Sequence, residues 1–354
     1  LGLGGAETMI INIYNAMDHN KLEFDFVVFG SNIGYYESFI DTEKSRIFHI
    51  TKRSSSLKKH INELTKVCRD GNYSVVHIHT QNAFTASIDA YCAKRAGVKK
   101  VVSHCHSTSD WRDRKLLLLS KLSRPMLNYI VDSKLSCGVA AAEYLYGSLK
   151  NVEILPLPVY CDKYLYSDEM YQILRKQKDF SDELVFVHTG RFAEQKNHKF
   201  LIEVFRELHT RDPKCKLLLL GDGKLRDEIE EQIQFNGLQK SVLVLGNVDD
   251  VYNKLIMADA FIFPSLYEGF PTVLLEAQAA GLPCFVSDSV TKDIKVTDLV
   301  HFLSLDDKAS EWAEAILSQI HNKRQRHVYN DIIKREFDIS VTMKKLFAIY
   351  EMCE

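Results

Sequence analysis

Residues 264–281 read Pro-Ser-Leu-Tyr-Glu-Gly-Phe-Pro-Thr-Val-Leu-Leu-Glu-Ala-Gln-Ala-Ala-Gly. The apolar run that ends at Pro264 predicts a strand, and the apolar spacing from Thr272 onward predicts a helix. Gly269 and Pro271 predict a tight turn between them. Because another apolar run follows at residues 283–287, the stretch has the strand, loop, helix and strand of a parallel α/β unit.

The same alternation extends through the second half of the chain. Strands are predicted at residues 184–190, 215–221, 241–246, 261–264 and 283–287, and helices at residues 198–209, 225–236, 251–257 and 272–280. Five strands in one alternation predict a doubly wound parallel sheet. The apolar stripes of the helices, such as Leu201, Val204 and Leu208, belong to its core.

The first half repeats the pattern, with strands predicted at residues 24–30, 74–79 and 100–104 and helices at residues 56–70 and 83–96. A chain of 354 residues fits two domains of this kind. Pro156 and Pro158 predict a linker at residues 154–159, so we expect domains at 1–158 and 159–337. Residues 338–354 predict an amphipathic helix that crosses back to the first domain. A glycine turn normally follows a strand, so we also expect a first strand to precede residues 2–7.

Composition narrows the class of protein. A net charge of −2 gives no polyelectrolyte signal, which argues against nucleic acid as a partner. Eight scattered cysteines show neither a disulfide framework nor a zinc-ligand spacing, which fits a reducing cytosol. No apolar run reaches the roughly 18 residues of a membrane span. We therefore expect a cytoplasmic protein, at most peripheral on the inner face of the cytoplasmic membrane.

The loops that follow strands carry the candidate chemistry, since ligands of open parallel sheets bind at the carboxyl ends of the strands. Residues 190–197 read Gly-Arg-Phe-Ala-Glu-Gln-Lys-Asn. Arg191 and Lys196 stand next to a predicted helix amino terminus, an arrangement suited to a diphosphate. A solvated basic loop is the alternative interpretation.

Two carboxylates lie in the loop after Pro264 and in the helix that follows it. Glu268 precedes the predicted helix, and Glu276 lies about one turn inside it. Because apolar residues surround Glu276 in the sequence, its carboxylate needs hydrogen-bond donors, such as the hydroxyls of a ribose. We expect neither carboxylate to form a structural salt bridge.

Residues 183–306 resemble the nucleotide-binding domain of the family 4 retaining glycosyltransferases with the GT-B fold. The resemblance rests on the Gly-Arg loop ending in Lys196, and on Glu268 and Glu276 separated by seven residues within Glu-Gly-x-Pro. It is strongest to bacterial enzymes that build capsular or exopolysaccharide repeat units. It implies an α/β GT-B fold, in which two Rossmann-like doubly wound parallel-sheet domains face each other across a cleft.

The resemblance implies a role for each matched residue. Arg191 and Lys196 would bind the diphosphate and stabilise it as it leaves. Glu268 would contact the donor sugar near the reacting carbon, and Glu276 would hold the ribose hydroxyls. The backbone contacts to the donor would come from Gly190, Gly246, Asn247, Val248, Gly269, Phe270, Pro271 and Thr272. Tight turns explain Gly246–Val248 and Gly221–Gly223 equally well.

In the first domain, the resemblance implies that Gly4 and Gly5 face the donor phosphate, although a short glycine run is often only a turn. It also places a strand-end histidine near the donor sugar. His106 is the candidate for that role and His104 the reserve, because side chains at i and i+2 of a strand point the same way. His79 is a candidate for the acceptor side. A strand-end histidine is more often structural.

The resemblance implies transfer with retention from a nucleotide diphosphate sugar, with uridine as the expected base, to a glycan or polyprenyl-linked acceptor. No Asp-x-Asp pair stands at a strand end, so we expect no metal and no cofactor at the site. The chain departs from the family at residues 156–162, where many relatives show Asn-Gly or Asn-Ala before an aspartate. A GT-B epimerase or phosphorylase and a non-catalytic binding partner remain as alternatives.

Residues 111–127 combine basic residues with leucines and an aromatic, as an interfacial membrane segment does. An ordinary domain helix with a charged face is the alternative interpretation.

Overall fold

In the computed structural model the chain forms two compact units. Unit 1 comprises Leu1–Pro158 and Ile339–Glu354, and unit 2 comprises Val159–Asp338. The structure describes residues 5–106, 114–180, 182–320 and 326–351. The chain enters unit 2 after the second proline of segment 154–159 and returns to unit 1 for its last helix.

The strands are β1 (Phe26–Phe29), β2 (Ile47–Ile50), β3 (Val75–Thr80), β4 (Lys100–Cys105), β5 (Ser133–Ser136), β6 (Val152–Ile154), β7 (Val185–Thr189), β8 (Lys216–Leu220), β9 (Val242–Gly246), β10 (Ala260–Phe263), β11 (Cys284–Ser287) and β12 (Val300–Leu303). The helices are α1 (Gly5–Ala16), α2 (Leu57–Asp70), α3 (Ala83–Arg95), α4 (Arg114–Ile130), α5 (Val139–Tyr146), α6 (Asp168–Lys176), α7 (His198–Arg211), α8 (Arg226–Phe235), α9 (Val251–Met257), α10 (Thr272–Ala279), α11 (Ala309–Ile320), α12 (Arg326–Phe337) and α13 (Ile339–Glu351).

Unit 1 contains a four-stranded parallel sheet in the order β3-β4-β5-β6 and a separate parallel pair, β1-β2. Every residue of β4 is buried, as expected for an inner strand. The last helix belongs to this unit: the buried Lys100 of β4 donates from its ammonium group to the backbone carbonyl of Ile349 in α13. Strand β4 is therefore paired with β3 and is also hydrogen-bonded to α13.

Unit 2 contains a six-stranded parallel sheet in the order β12-β11-β10-β7-β8-β9. Along β10, Phe261 and Phe263 belong to one buried cluster, whereas Ala260 and Ile262 belong to another with Trp312. Apolar side chains on both faces are the mark of a sheet covered by helices on both sides. The strand order reverses between β7 and β10, so the loops after these two strands leave the sheet side by side.

The predicted doubly wound sheet is confirmed, with one strand more than expected. The sequence analysis missed β12, which is only four residues long and is reached from β11 through a short 3₁₀ turn rather than a helix. It also missed the short strands β2, β5 and β6. Among the described helices, none has the length and apolar character needed to cross a membrane.

Candidate active site

The loops after β7 and β10 are tied to each other by hydrogen bonds. The backbone N–H of Leu266 donates to the carbonyl of Gln195 at 2.8 Å, and the Gln195 side-chain amide donates to the carbonyl of Tyr267 at 2.9 Å. These bonds join the segment that carries Lys196 to the segment that carries Glu268. The two sequence-predicted loops therefore form a single site in unit 2.

Lys196 and Glu268 form an ion pair in this site. The Lys196 Nζ lies 2.7 Å from Glu268 Oε1, and the two side chains are only 14% and 10% exposed. The same ammonium group lies 4.6 Å from the centroid of the Phe263 ring, which adds a cation–π contact. The expectation that Glu268 forms no salt bridge is therefore wrong. It failed because nothing local in the sequence shows that β7 and β10 are neighbours.

Gly190 makes room for the lysine. A Cβ at this position would lie 3.0 Å from Cδ and Cε of Lys196, so a larger residue would push the aliphatic stem aside. Lys196 ends a 3₁₀ turn, and Asn197 then adopts φ 53° before α7 begins. The ammonium group is in this way directed back over the end of β7 and toward Glu268.

Arg191 is exposed at the same loop, and its backbone is anchored by the residue that follows. Phe192 is fully buried, and its N–H donates to the carbonyl of Asp222 at 3.0 Å. The guanidinium group therefore extends from a fixed point at the carboxyl edge of the sheet. The structure places Arg191 and Lys196 on one loop, as the sequence predicted.

The glycines after β8 allow two backbones to approach closely. Gly221 has φ +132°, and a Cβ there would lie 2.1 Å from the carbonyl oxygen of Gly190. A Cβ at Gly223 would lie 2.4 Å from the carbonyl oxygen of Phe192. Because these two residues have no side chain, the backbone after β8 packs directly against the Gly190–Phe192 segment. Gly246 also has a positive φ, +69°, and the neighbouring Asn247 is exposed while Val248 packs on the core.

Gly221→Ala is expected to lower the free energy of unfolding by about 2–3 kcal/mol, because it adds a backbone clash to a left-handed φ. Gly237→Ala is the matched control: Gly237 has φ +70°, but open space surrounds its missing Cβ. Gly237→Ala should lower the free energy of unfolding by only about 1 kcal/mol, through backbone strain alone. Urea unfolding of both variants measures the difference, and equal costs would contradict the close-packing argument.

The amino terminus of α10 supplies backbone donors. Its N-cap, Pro271, has no N–H and makes no side-chain cap, and Thr272 is the first helical residue. Among the described residues, no protein group accepts a hydrogen bond from the backbone N–H groups of Gly269, Phe270 and Thr272. Phe270 is held by stacking on Phe337, with ring centroids 6.2 Å apart. Such a terminus carries partial positive charge and suits an anion.

Glu276 lies one turn into α10, in apolar surroundings. Burial raises the pKa of its carboxyl group to about 7, although a hydrogen bond from the Tyr164 hydroxyl and the charge of Lys163 both lower it. Tyr164 is itself buried, in a 3₁₀ turn (Cys161–Tyr164) just after the linker. The carboxyl group is thus poised between its neutral and ionised forms near neutral pH. The sequence analysis missed Tyr164, and only the composition of segment 156–162 marked that region as unusual.

The histidines predicted in the first domain come together on the adjacent strands β3 and β4. The His79 Nδ1 lies 2.8 Å from the His106 Nε2, and the rings are stacked with centroids 5.1 Å apart. Burial lowers the pKa of His106 to about 4, so the ring is neutral at pH 7. His104 is fully buried, whereas His106 is partly exposed and remains the candidate for the sugar side. Gly5 begins α1, and Gly4 lies outside the described residues.

Family models match both halves of the chain. Residues 171–336 match the model described as glycosyl transferases group 1, and residues 3–149 match glycosyltransferase family 4. EpsF of Bacillus subtilis (strain 168), which carries the name of a glycosyltransferase, is 35% identical over 326 residues, or 88% of this chain and 84% of EpsF. The chain belongs to the family 4 glycosyltransferases. The predicted family and the predicted enzyme class are thereby confirmed.

Two further likenesses extend the comparison. An Escherichia coli protein named UDP-Gal:alpha-D-GlcNAc-diphosphoundecaprenol alpha-1,3-galactosyltransferase is 27% identical to this glycosyltransferase, over 81% of the chain and 76% of its own length. The crystal structure of Anabaena HepE in complex with UDP matches with a TM-score of 0.80 and 17% identity, covering 99% of this chain and 96% of HepE. At that identity the match concerns the fold, and the predicted GT-B class is confirmed.

Proposed function

We propose that this glycosyltransferase moves a sugar, with retention of anomeric configuration, from a uridine diphosphate sugar to a lipid-linked saccharide during the synthesis of a surface polysaccharide. The observation that carries the proposal is the Lys196–Glu268 pair at the point where the strand order of unit 2 reverses. The names of the Escherichia coli relative and of the HepE complex support the choice of donor and acceptor.

The donor diphosphate would bind where positive charge is concentrated. Arg191 and Lys196 offer charged donors, and the amino terminus of α10 offers backbone N–H groups. A diphosphate at this place gives Lys196 a second anionic partner besides Glu268. Glu268 is then held by the lysine at the edge of the diphosphate site, where it can accept hydrogen bonds from hydroxyls of the sugar.

Transfer would follow from stabilising the leaving group. The acceptor oxygen forms a bond to the anomeric carbon on the face from which the diphosphate departs. The bond from that carbon to the diphosphate breaks, the diphosphate takes the electron pair, and one of its oxygens receives the acceptor proton. Preorganised cations and N–H groups stabilise the charge that develops on the diphosphate. Because Arg191, Lys196 and α10 supply this charge, the proposed step uses no divalent ion.

Nucleotide sugars can be screened by thermal shift, since a ligand at a hundred times its Kd stabilises the folded state by about 2.7 kcal/mol. We expect a uridine diphosphate sugar to stabilise the protein more than guanosine or adenosine diphosphate sugars. With that donor and a lipid-linked saccharide, NMR of the product should show the donor's anomeric configuration, with or without EDTA. An epimerised donor, phosphorolysis or an inverted product would contradict the proposal.

Affinity for uridine diphosphate is expected to rise with pH and to level off above a pH of about 7. Ribose hydroxyls donate to the ionised form of Glu276, and this form is populated as the pH rises through the pKa of about 7. Below that pKa the affinity falls by as much as about tenfold per pH unit. Calorimetric titrations across the range measure the slope. Glu276→Gln is the control, because it removes this ionisation but keeps the titration of the diphosphate; an unchanged slope in the variant would refute the assignment.

A membrane surface would present the lipid-linked acceptor, and α4 has the composition to meet it. Leu118, Leu122, Met126 and Tyr129 are 59%, 70%, 47% and 91% exposed and lie on one face of the helix. The helix carries four basic residues and no acidic one, which favours an anionic lipid surface. Residues 111–113 of the predicted segment lie outside the described residues.

Leu122→Glu is expected to weaken binding to vesicles containing anionic lipid by about tenfold or more, because it replaces an apolar side chain that would enter the interface with a charge. Phe235→Glu is the matched control, since Phe235 is 91% exposed on α8 of unit 2. Flotation with and without anionic lipid measures binding. Equal flotation of the two variants, or no dependence on lipid charge, would exclude α4 as the contact.

A further inference from the structure

Four histidines form one cluster on the paired strands β3 and β4 of unit 1. His77 and His79 lie two residues apart on β3, and His79 is directly opposite His104 of β4 in the register. His106 follows the last residue of β4 directly. The ring centroids of His77 and His79 are 4.3 Å apart, and those of His104 and His106 are 4.2 Å apart. All four imidazoles therefore project from one face of the sheet.

Three of these rings converge their nitrogen atoms. One ring nitrogen from each of His77, His79 and His104 lies within 4.8 Å of the others. In the part of the chain that the structure describes, the buried His77 Nε2 and the ring nitrogens of His104 have no hydrogen-bond partner within 3.5 Å, although the Leu155 backbone interacts with the His104 ring. Leaving buried polar atoms unpaired costs stability, so folding alone does not account for the cluster.

Hydrogen bonds engage the Nδ1 atoms of His77 and His79, so that the Nε2 atom of each ring stays available for an ion. The His77 Nδ1 lies 2.7 Å from the Tyr350 hydroxyl of α13, and the His79 Nδ1 lies 2.8 Å from the His106 Nε2. The Nε2 atoms of His77 and His79 are therefore the ones left to bind an ion. A metal-binding histidine usually has its other ring nitrogen held by such a partner, which orients the ring.

The rings lie close to the positions that a metal requires. In a tetrahedral site with Zn–N bonds of about 2.0 Å the ligand nitrogens are about 3.3 Å apart, so the rings need to close by an ångström or so. His77 and His79 are partly exposed and can make this shift, while the buried His104 provides a fixed ligand.

We propose that His77, His79 and His104 bind a divalent transition-metal ion of the Zn²⁺ class. Three imidazoles favour Zn²⁺, Co²⁺ or Ni²⁺, whereas Mg²⁺ prefers oxygen ligands, so the cluster is not suited to Mg²⁺. The ion cross-links β3 to β4 and, through Tyr350, stabilises the docking of the last helix. Through the His79–His106 hydrogen bond it also orients His106. The sequence analysis expected no metal because no Asp-x-Asp pair stands at a strand end, and it did not consider the histidines of β3 and β4 as one cluster.

The test uses the full chain after EDTA treatment and dialysis, titrated with Co²⁺, Zn²⁺ and Mg²⁺. We expect one equivalent of Co²⁺ to produce visible absorption bands, Zn²⁺ to displace them, and Mg²⁺ to have no effect. His77→Gln should weaken binding at least about tenfold, as the loss of one of three ligands predicts. His49→Gln is the matched control, because His49 is an exposed histidine of the same unit outside the cluster, and it should bind as the wild type does.

A second variant separates metal binding from packing. Tyr350→Phe keeps the ring but removes the hydroxyl that holds the His77 Nδ1. If His77 is a ligand, affinity should fall about tenfold or more, as for other partners of metal-binding histidines. Circular dichroism confirms that each variant is folded. Absence of Co²⁺ bands in the wild type, or equal affinity of His77→Gln, Tyr350→Phe and the wild type, would overturn the proposal.

Discussion

Lys196→Ala is expected to lower kcat by about a hundredfold to a thousandfold, the usual effect of removing one preorganised donor to a developing negative charge. The side chain is only 14% exposed, so little solvent replaces its ammonium group near the diphosphate. Steady-state transfer, measured with the donor identified by thermal shift, gives kcat and KM separately. A fall in kcat, and not only a rise in KM, is the expected sign of an interaction that strengthens in the transition state.

The controls for Lys196 distinguish catalysis from folding. Lys199→Ala removes an exposed lysine three residues farther on, in α7, and should leave kcat unchanged. Lys196→Arg keeps the positive charge and should recover part of the activity. Since Lys196→Ala leaves Glu268 without its ion-pair partner, the unfolding free energy of each variant is measured as well. A kcat within about threefold of wild type in a folded Lys196→Ala protein would remove the lysine from the proposed mechanism.

Glu268→Gln is expected to lower kcat by about a hundredfold with a small effect on folding. The amide keeps the shape of the side chain and can still accept a hydrogen bond from Lys196, but it removes the negative charge that is proposed to face the sugar. The test is the same transfer assay, with Glu194→Gln as the control, since Glu194 is an exposed acid on the neighbouring loop. Undiminished transfer by Glu268→Gln would contradict a catalytic role for this carboxylate.

The two residues can also be tested together. Because Lys196 and Glu268 are 2.7 Å apart, their effects on kcat should not add. The Lys196→Ala/Glu268→Gln double variant is expected to be little worse than the more damaging single variant. Strict additivity of the two effects would show that the residues act independently and that the ion pair is incidental.

Much of unit 2 could be predicted from sequence because its signals are local. The apolar runs of β7 to β11 are bounded by glycines or loops, and the helix predicted at residues 251–257 matches α9. The short strand β12 could not be predicted, since four residues that no crossover helix precedes carry no periodic pattern. In unit 1, β5 reads Ser-Lys-Leu-Ser and owes its strand conformation to its neighbours in the sheet.

The sequence by itself determined the alternation of strands and helices. It also determined the two loops that carry Arg191, Lys196 and Glu268, and the glycines at their turns. All of these features depend on residues that are close together in the chain. The tertiary structure alone decided which of those loops meet. It paired Lys196 with Glu268 across 72 residues, and it brought Tyr350 to His77 across 273 residues. Tyr164 likewise reached Glu276 only through folding. Strand order sets such contacts, and strand order is a property of the packed sheet that no local pattern encodes.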